Sequence, residues 1–316
     1  MNHPLKNIPL EDIDLDDAAF RLSYGPDLGP LKQSIGRVGL INPPVVRRRT
    51  DARYQIICGY RRVCALREIG VSSAVCKLVT PGTADEACLL LNLYDNTSHR
   101  EFNPIEKSMA INRLLNHFPE GRVVSDFLPL LKLKPHITQL QAFQPLCRLE
   151  KELQDALLEG IIDVHTALRL AQLDPEIRTC LARLLIVLRL SVSKQSEVMS
   201  SILEIACREN VSPTVVVDDT AVRFILEHAR LNQPQKGDAV LRHLREKRYP
   251  HLTAKEKQVK GVLKKVKLPQ GISITPPPFF EDNRYCLSVY FTGWNELKER
   301  LDLLDPLLAD DLLTLE

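Results

Sequence analysis

Apolar positions fall into two rhythms along this chain, and the rhythm changes with position. In the first hundred residues short apolar runs alternate with amphipathic stretches. Val45-Val46-Arg47 follows Pro43-Pro44, Tyr54-Gln55-Ile56-Ile57-Cys58 ends at Gly59, and Val75 to Val79 ends at Pro81-Gly82, so three strands are predicted there. Between them Leu31, Ile35 and Val38 recur at helical spacing over about Leu28 to Val38. Val63, Leu66 and Ile69 do the same over Tyr60 to Ile69, with Gly70 as the stop.

The middle of the chain reads as helices only. Asn103-Pro104-Ile105-Glu106 carries helix-start chemistry: an amide that accepts a backbone N–H, a proline suited to the first turn, and a glutamate at the reciprocal capping position. Short helices follow, broken at Pro119, Pro129, Pro135, Pro145 and Gly160. Beyond residue 212 helical stretches near Asp219–Leu231, Asp238–Lys247 and Ala254–Lys267 precede a hairpin of Gly271–Thr275 and Arg284–Thr292. The linker Pro276-Pro277-Pro278 between the two is extended by its prolines. A last helix places Trp294, Leu297, Leu301 and Leu304 on one face, expected to be core. The fold class is therefore α+β and multi-domain: residues 1–100 a small α/β unit, 101–212 all-helical, 213–316 an α+β module.

Composition narrows the function classes. Lys and Arg number 42 against 40 Asp and Glu, a net charge of +2, so any basic site is local. The N-terminus has no apolar signal core, and Leu181 to Leu190 is too short and too charged for a membrane span, which needs about 20 apolar residues. A soluble cytoplasmic protein without membrane partners is expected. The 8 cysteines show no CxxC pair or zinc spacing and read as reduced packing residues.

Ile57-Cys58-Gly59-Tyr60-Arg61-Arg62 puts two cations in a first helical turn, where they oppose the helix dipole by roughly 0.3–1 kcal/mol each. A bound anion reverses that penalty, because free N–H groups and guanidiniums meet on it. The alternatives are solvated arginines, or a pairing with Glu68 or Asp51. Upstream lies Ser34-Ile35 followed by Gly39-Leu40-Ile41-Asn42-Pro43-Pro44. Downstream lies Asp95-Asn96-Thr97-Ser98-His99-Arg100 and then the Asn103 helix start.

These three boxes, in this order over roughly residues 5–118, resemble the N-terminal domain of the ParB family of chromosome and plasmid partition proteins. The resemblance implies a small sulfiredoxin-like α/β domain that binds CTP or another nucleotide with Mg²⁺. Carried over by position, Gly39, Asn42, Pro43, Gly59, Arg61, Arg62, Asn96, His99 and Arg100 would meet the nucleotide. Asp95 would be the residue for a weak CTPase-type hydrolysis, and Asn96 would meet the magnesium. Asp95 and Asn96 also read as an ordinary turn, and Glu106 as a cap. Tyr60 stands where the family has an acid, Asn42 replaces the first-box glutamine, and His99 stands where the family has arginine.

The middle region resembles the family's helix-turn-helix domain in degenerate form. The reader falls at Pro135 to Gln144, with Ile137, Leu140 and Phe143 inward. His136, Thr138, Gln139 and Gln141 point outward, and Lys132 and Lys134 would meet phosphates. Leu133 occupies the turn where glycine is usual. Leu241 to Lys267 holds ten Lys/Arg against two Glu, so Lys257, Lys260, Lys264 and Lys265 are candidates for non-specific DNA contact, with a solvated helix face as the plain alternative. The implied function is a nucleotide-responsive, DNA-binding partition protein. Its implied partners are DNA, a nucleotide, a second copy in a homodimer and a ParA-type ATPase, and its implied location is the nucleoid or a plasmid. A ParB-fold enzyme (nucleotide hydrolase, phosphotransferase or nuclease) and a protein–protein adaptor are the rival readings.

Overall fold

A computed structural model describes residues 3–25, 27–266, 268–277, 280 and 284–303, the side chains of residues 264–266 excepted. The chain forms two compact units, residues 1–195 and residues 196–316. The expected boundaries at 100/101 and 212/213 each fall inside one of these units.

The first unit starts with a five-stranded sheet. Its strands are β1 (Leu5–Pro9), β2 (Ile13–Asp14), β3 (Val45–Arg48), β4 (Tyr54–Cys58) and β5 (Ser73–Val79), in the order β1-β5-β3-β4-β2. β5 runs antiparallel to β1 and parallel to β3, β3 is antiparallel to β4, and β4 is parallel to β2. Ile8, Ile13, Val46, Ile56, Val63, Leu66, Ala74 and Cys76 make the core against this sheet. β1 and β2 are absent from the sequence reading for a physical reason. β1 buries only Ile8, and β2 is two residues long, so neither shows an alternating pattern.

Four helices position the site. α1 (Gly29–Val38) starts on Pro30 and ends at Gly39, whose φ of 77° closes it. α2 (Tyr60–Glu68) begins directly after β4 at Gly59. α3 (Asp85–His99) continues to the end of the third box, so Asp95 and Asn96 stand in a helix and not in a turn. α4 (Pro104–Leu115) has the full reciprocal cap: Asn103 accepts from the Glu106 N–H at 2.9 Å, and Glu106 accepts from the Asn103 N–H at 3.0 Å.

The rest of this unit is helical, as the prolines predict. α5 (Glu120–Arg122) runs into a wide turn over Val123–Phe127, and α6 (Ile137–Phe143), α7 (Lys151–Leu158), α8 (Val164–Leu170) and α9 (Pro175–Leu188) follow. Leu140 and Phe143 are buried as expected, but Ile137 is 38% exposed, because it opens α6 at the end that faces water. The left-handed turn position is Lys132, with φ 56°, so Leu133 needs no glycine-like backbone.

Past α10 (Val192–Glu209), the second unit contains α11 (Pro213–Val217), α12 (Thr220–Glu227), α13 (Gln233–Arg248) and α14 (Pro250–Val266). The hairpin is β6 (Ile272–Thr275) antiparallel to β7 (Cys286–Val289), with Ile272 opposite Val289. The last helix, α15 (Trp294–Asp302), corrects an expectation. None of its residues is buried, Trp294 is 81% exposed and Leu301 is 45% exposed, so its apolar face is no core. Pro278, Lys267 and Leu304 lie outside the described residues, as do the side chains of Lys264 and Lys265.

Candidate functional site

The site grows from the β4–α2 turn. Gly59 takes φ 90° and ψ 26°, a left-handed conformation that lets the chain leave the sheet and enter a helix in one residue. A Cβ there would lie 3.2 Å from the Pro44 Cα and from the Arg62 guanidinium. No side chain caps α2; the Arg62 N–H donates to the Gly59 carbonyl at 2.9 Å, which leaves the Tyr60 and Arg61 N–H groups without an acceptor beside the adjoining space. That space is a cavity of about 570 Å³. Gly39 and Asn42 come to it from the first box, Gly59, Tyr60, Arg61 and Arg62 from the second, and Asp95, Asn96, His99 and Arg100 from the third. Leu31, Ile35, Leu40 and Ile41 give it an apolar wall. Pro43 is the one expected nucleotide residue outside this lining; it contributes its carbonyl through Arg62.

The two arginines of the turn do different work. Arg62 Nη2 pairs with Asp95 Oδ2 at 2.9 Å, while Nη1 donates to the Asn42 carbonyl at 2.9 Å and the Pro43 carbonyl at 3.3 Å. One guanidinium thus ties all three boxes. The expected alternatives fail: Glu68 is taken by Lys32 at 2.8 Å, and Asp51 faces Arg49 at 3.7 Å. Arg61 Nη2 donates to the Asp27 carbonyl at 2.8 Å, but its Nε is buried without a partner. A buried donor left unpaired costs about 1–3 kcal/mol, and an anion at the turn would satisfy it.

A ladder of polar groups at four-residue spacing runs down α3. Asn92 is buried and its amide nitrogen donates to the Phe20 and Ile57 carbonyls, the first at 2.7 Å. Asn96 donates to the Asn92 side-chain oxygen at 2.7 Å and accepts from Arg100 Nε at 3.1 Å. Arg100 Nη1 then reaches Glu106 Oε2 at 2.5 Å. Glu106 is 3% exposed and also accepts the backbone N–H of Tyr24 at 3.2 Å. It is a buried hub as well as a cap. Sequence reading missed Asn92 and the Arg100–Glu106 pair. The available signal was the four-residue recurrence of polar residues 92, 96 and 100, masked by the neighbouring Asp95, Thr97, Ser98 and His99.

Asp95 is held by Arg62 and lies 4.0 Å from His99 Nε2, which is 65% exposed. The protein groups expected beside a magnesium ion are already engaged. Asn96 spends its oxygen on the Arg100 cation, Asp95 faces Arg62, and no group of three metal-ligating side chains occurs among the described residues.

Of the expected DNA-contact residues in the first unit, Lys134, His136, Thr138 and Gln141 are exposed and Gln139 is half-buried. Lys132 is exposed but paired with Glu101 at 2.7 Å. That bond, then the Lys132 charge, lowers the Glu101 carboxyl below its ordinary value. In the second unit Lys257 pairs with Glu246 at 3.0 Å and Lys260 is exposed. Among the described residues no helix is long and apolar enough to cross a membrane.

Residues 2–97 match the family described as the ParB N-terminal domain. A probable chromosome-partitioning protein ParB of Pseudomonas putida is 32% identical over 115 residues, covering 36% of this chain and 39% of the relative. Its counterpart in Mycobacterium leprae is 29% identical over 201 residues, covering 61% of this chain and 58% of the relative. The chain thus spans between about four-tenths and six-tenths of the length of these curated relatives. Among solved structures, a C-terminally truncated ParB of Caulobacter crescentus complexed with CTP-gamma-S is similar at 22% identity and TM-score 0.27, over 58% of this chain and 99% of that one.

Proposed function

We propose, on the premise that residues 2–97 match the ParB N-terminal domain, that this chain is a ParB-like protein that binds DNA in a partition system, under the control of a nucleotide held over Gly59. One observation carries the reading: three boxes far apart in sequence line one cavity, at an uncapped helix N-terminus with a buried, unpartnered guanidinium nitrogen. Phosphates occupy the α2 N-terminus, where free N–H groups and Arg61 receive them. The apolar wall from α1 and the Leu40–Ile41 turn takes the ring end, in the usual manner of a mostly apolar pocket with a few polar anchors. CTP is the nucleotide the family resemblance suggests.

A phosphate at the turn competes with Asp95 for Arg62. Asp95 stands at the end of α3, and Arg100 in turn holds Glu106 in the first turn of α4. Nucleotide binding therefore bears on the segment that enters the helical region. Asp95 is a positioning carboxylate here; slow hydrolysis would require it to leave Arg62.

DNA meets the outer face of α6 through Lys134, His136, Thr138, Gln139 and Gln141, with Lys132 beside them. In the second unit it meets α14 at Lys257 and Lys260, together with Lys264 and Lys265. Self-association through residues 213–316, a ParA-type ATPase partner and a place on the nucleoid or a plasmid complete the proposal.

Calorimetry with CTP, ATP, GTP and UTP, with and without DNA, tests it. Binding of one nucleotide is expected, weakened at least about tenfold by Arg61→Met through loss of a charge-assisted contact. Absence of binding by all four, or equal affinity in Arg61→Met, would sink the nucleotide reading.

A further inference from the structure

A second cavity, of about 550 Å³, opens in the first unit between the 18–24 loop and helices α4 and α7. Two guanidiniums line it, Arg21 and Arg113, and no carboxylate does. Neither arginine has an ion-pair partner among the described residues. Arg113 donates to the Ala18 and Ala19 carbonyls at 2.5 and 2.8 Å, which neutralise no charge. Arg21 donates to the Tyr60 hydroxyl at 3.3 Å and stacks 5.1 Å from that ring, while its Nε is buried without a partner. Two nearby cations therefore lack a counter-charge. Burial, then the Arg21 charge, lowers the Arg113 guanidinium below its ordinary value. The carboxylates that reach a lining residue are spoken for. Asp155 accepts the Tyr24 hydroxyl at 3.1 Å, and Glu106 serves three other donors.

We propose that this second cavity is a binding site for a small oxyanion, the phosphate or carboxylate group of a small molecule, received between Arg21 and Arg113. Guanidiniums suit such groups because their planar forks present paired N–H donors. Both arginines are already fixed, one by carbonyls and one by an aromatic face, so little ordering is needed on binding. Ile105 and Met109 supply apolar surface for the remainder of the ligand. The site lies beside the first cavity, whose Tyr60 braces Arg21, but neither Arg21 nor Arg113 lines that cavity.

The test uses the full chain in a buffer free of phosphate and carboxylate, at constant ionic strength set by chloride. Inorganic phosphate and acetate are titrated separately by calorimetry, with the melting temperature followed in parallel. In Arg61→Met, which weakens the phosphate cradle at the α2 N-terminus, saturable binding of at least one is expected, and adding Arg21→Met weakens it at least about tenfold. The probe that saturates identifies the ligand class. If Arg21→Met does not fold, Asn116→Asp serves instead. Asn116 is exposed at the cavity rim, and a carboxylate there is expected to weaken the anion several-fold. No saturation by either probe, full affinity in Arg21→Met or in its substitute, or loss of all binding in Arg61→Met would overturn the site.

Discussion

Gly59 is the residue on which the first cavity turns, and its constraint is local. At φ 90°, with Pro44 and Arg62 3.2 Å from a would-be Cβ, Gly59→Ala should cost about 1–2 kcal/mol from backbone handedness alone. Thermal melting of the full chain checks this; a melting temperature lowered by several degrees is expected, and none lost refutes it. Tyr24 gives a pH signature. Burial, then its hydrogen bond to Asp155, pushes its phenol up to about 12 from 10. The folded state thus keeps a proton that the unfolded chain releases. The contribution is whole below pH 10 and is lost as pH rises from 10 towards 12. Denaturant titrations at pH 9 and pH 11 should show a larger loss of stability in the wild type than in Tyr24→Phe. Gly59, Asn103 and the capping role of Glu106 were legible in sequence because each follows from residues within four positions. Arg62–Asp95 was not: its partners stand 33 residues apart, and only the closing of the sheet onto α3 brings them together.

Among the elements, legibility followed burial on both faces. β4 is buried at every position and its ends match the sequence reading to the residue. β1 and β2 show one-sided or very short burial and left no period to read. α15 went the other way: its apolar spacing is real, but spacing reports amphipathicity and not what covers the face. The α3 ladder ends on the least replaceable group. Glu106→Ala would leave the half-buried Arg100 charge and two backbone N–H groups without their acceptor, at a cost of about 3 kcal/mol. Chemical denaturation should register that loss, while Glu101→Ala, on an exposed pair with Lys132, should leave stability close to that of the wild type. Equal effects would refute the hub role.

For the whole molecule, a net charge of +2 means that the proposed DNA binding has to rest on a few local cations. Reversing Lys257 and Lys260 to Glu should reduce the slope of log affinity against log salt by about 2 if both meet phosphates. An unchanged slope measured by fluorescence anisotropy removes α14 from the interface. The polar ladder also decides where the chain can be cut. A piece stopping at residue 100 would lack Glu106, to which Arg100 and the Tyr24 amide are bound, and Arg113, which grips the Ala18 and Ala19 carbonyls. The family match ends at residue 97, yet the cohesive body continues well past it. The sheet and the helices after it are therefore fastened together by these polar contacts, so a chimera that swaps one without the other should unfold at a lower temperature than the parent chain.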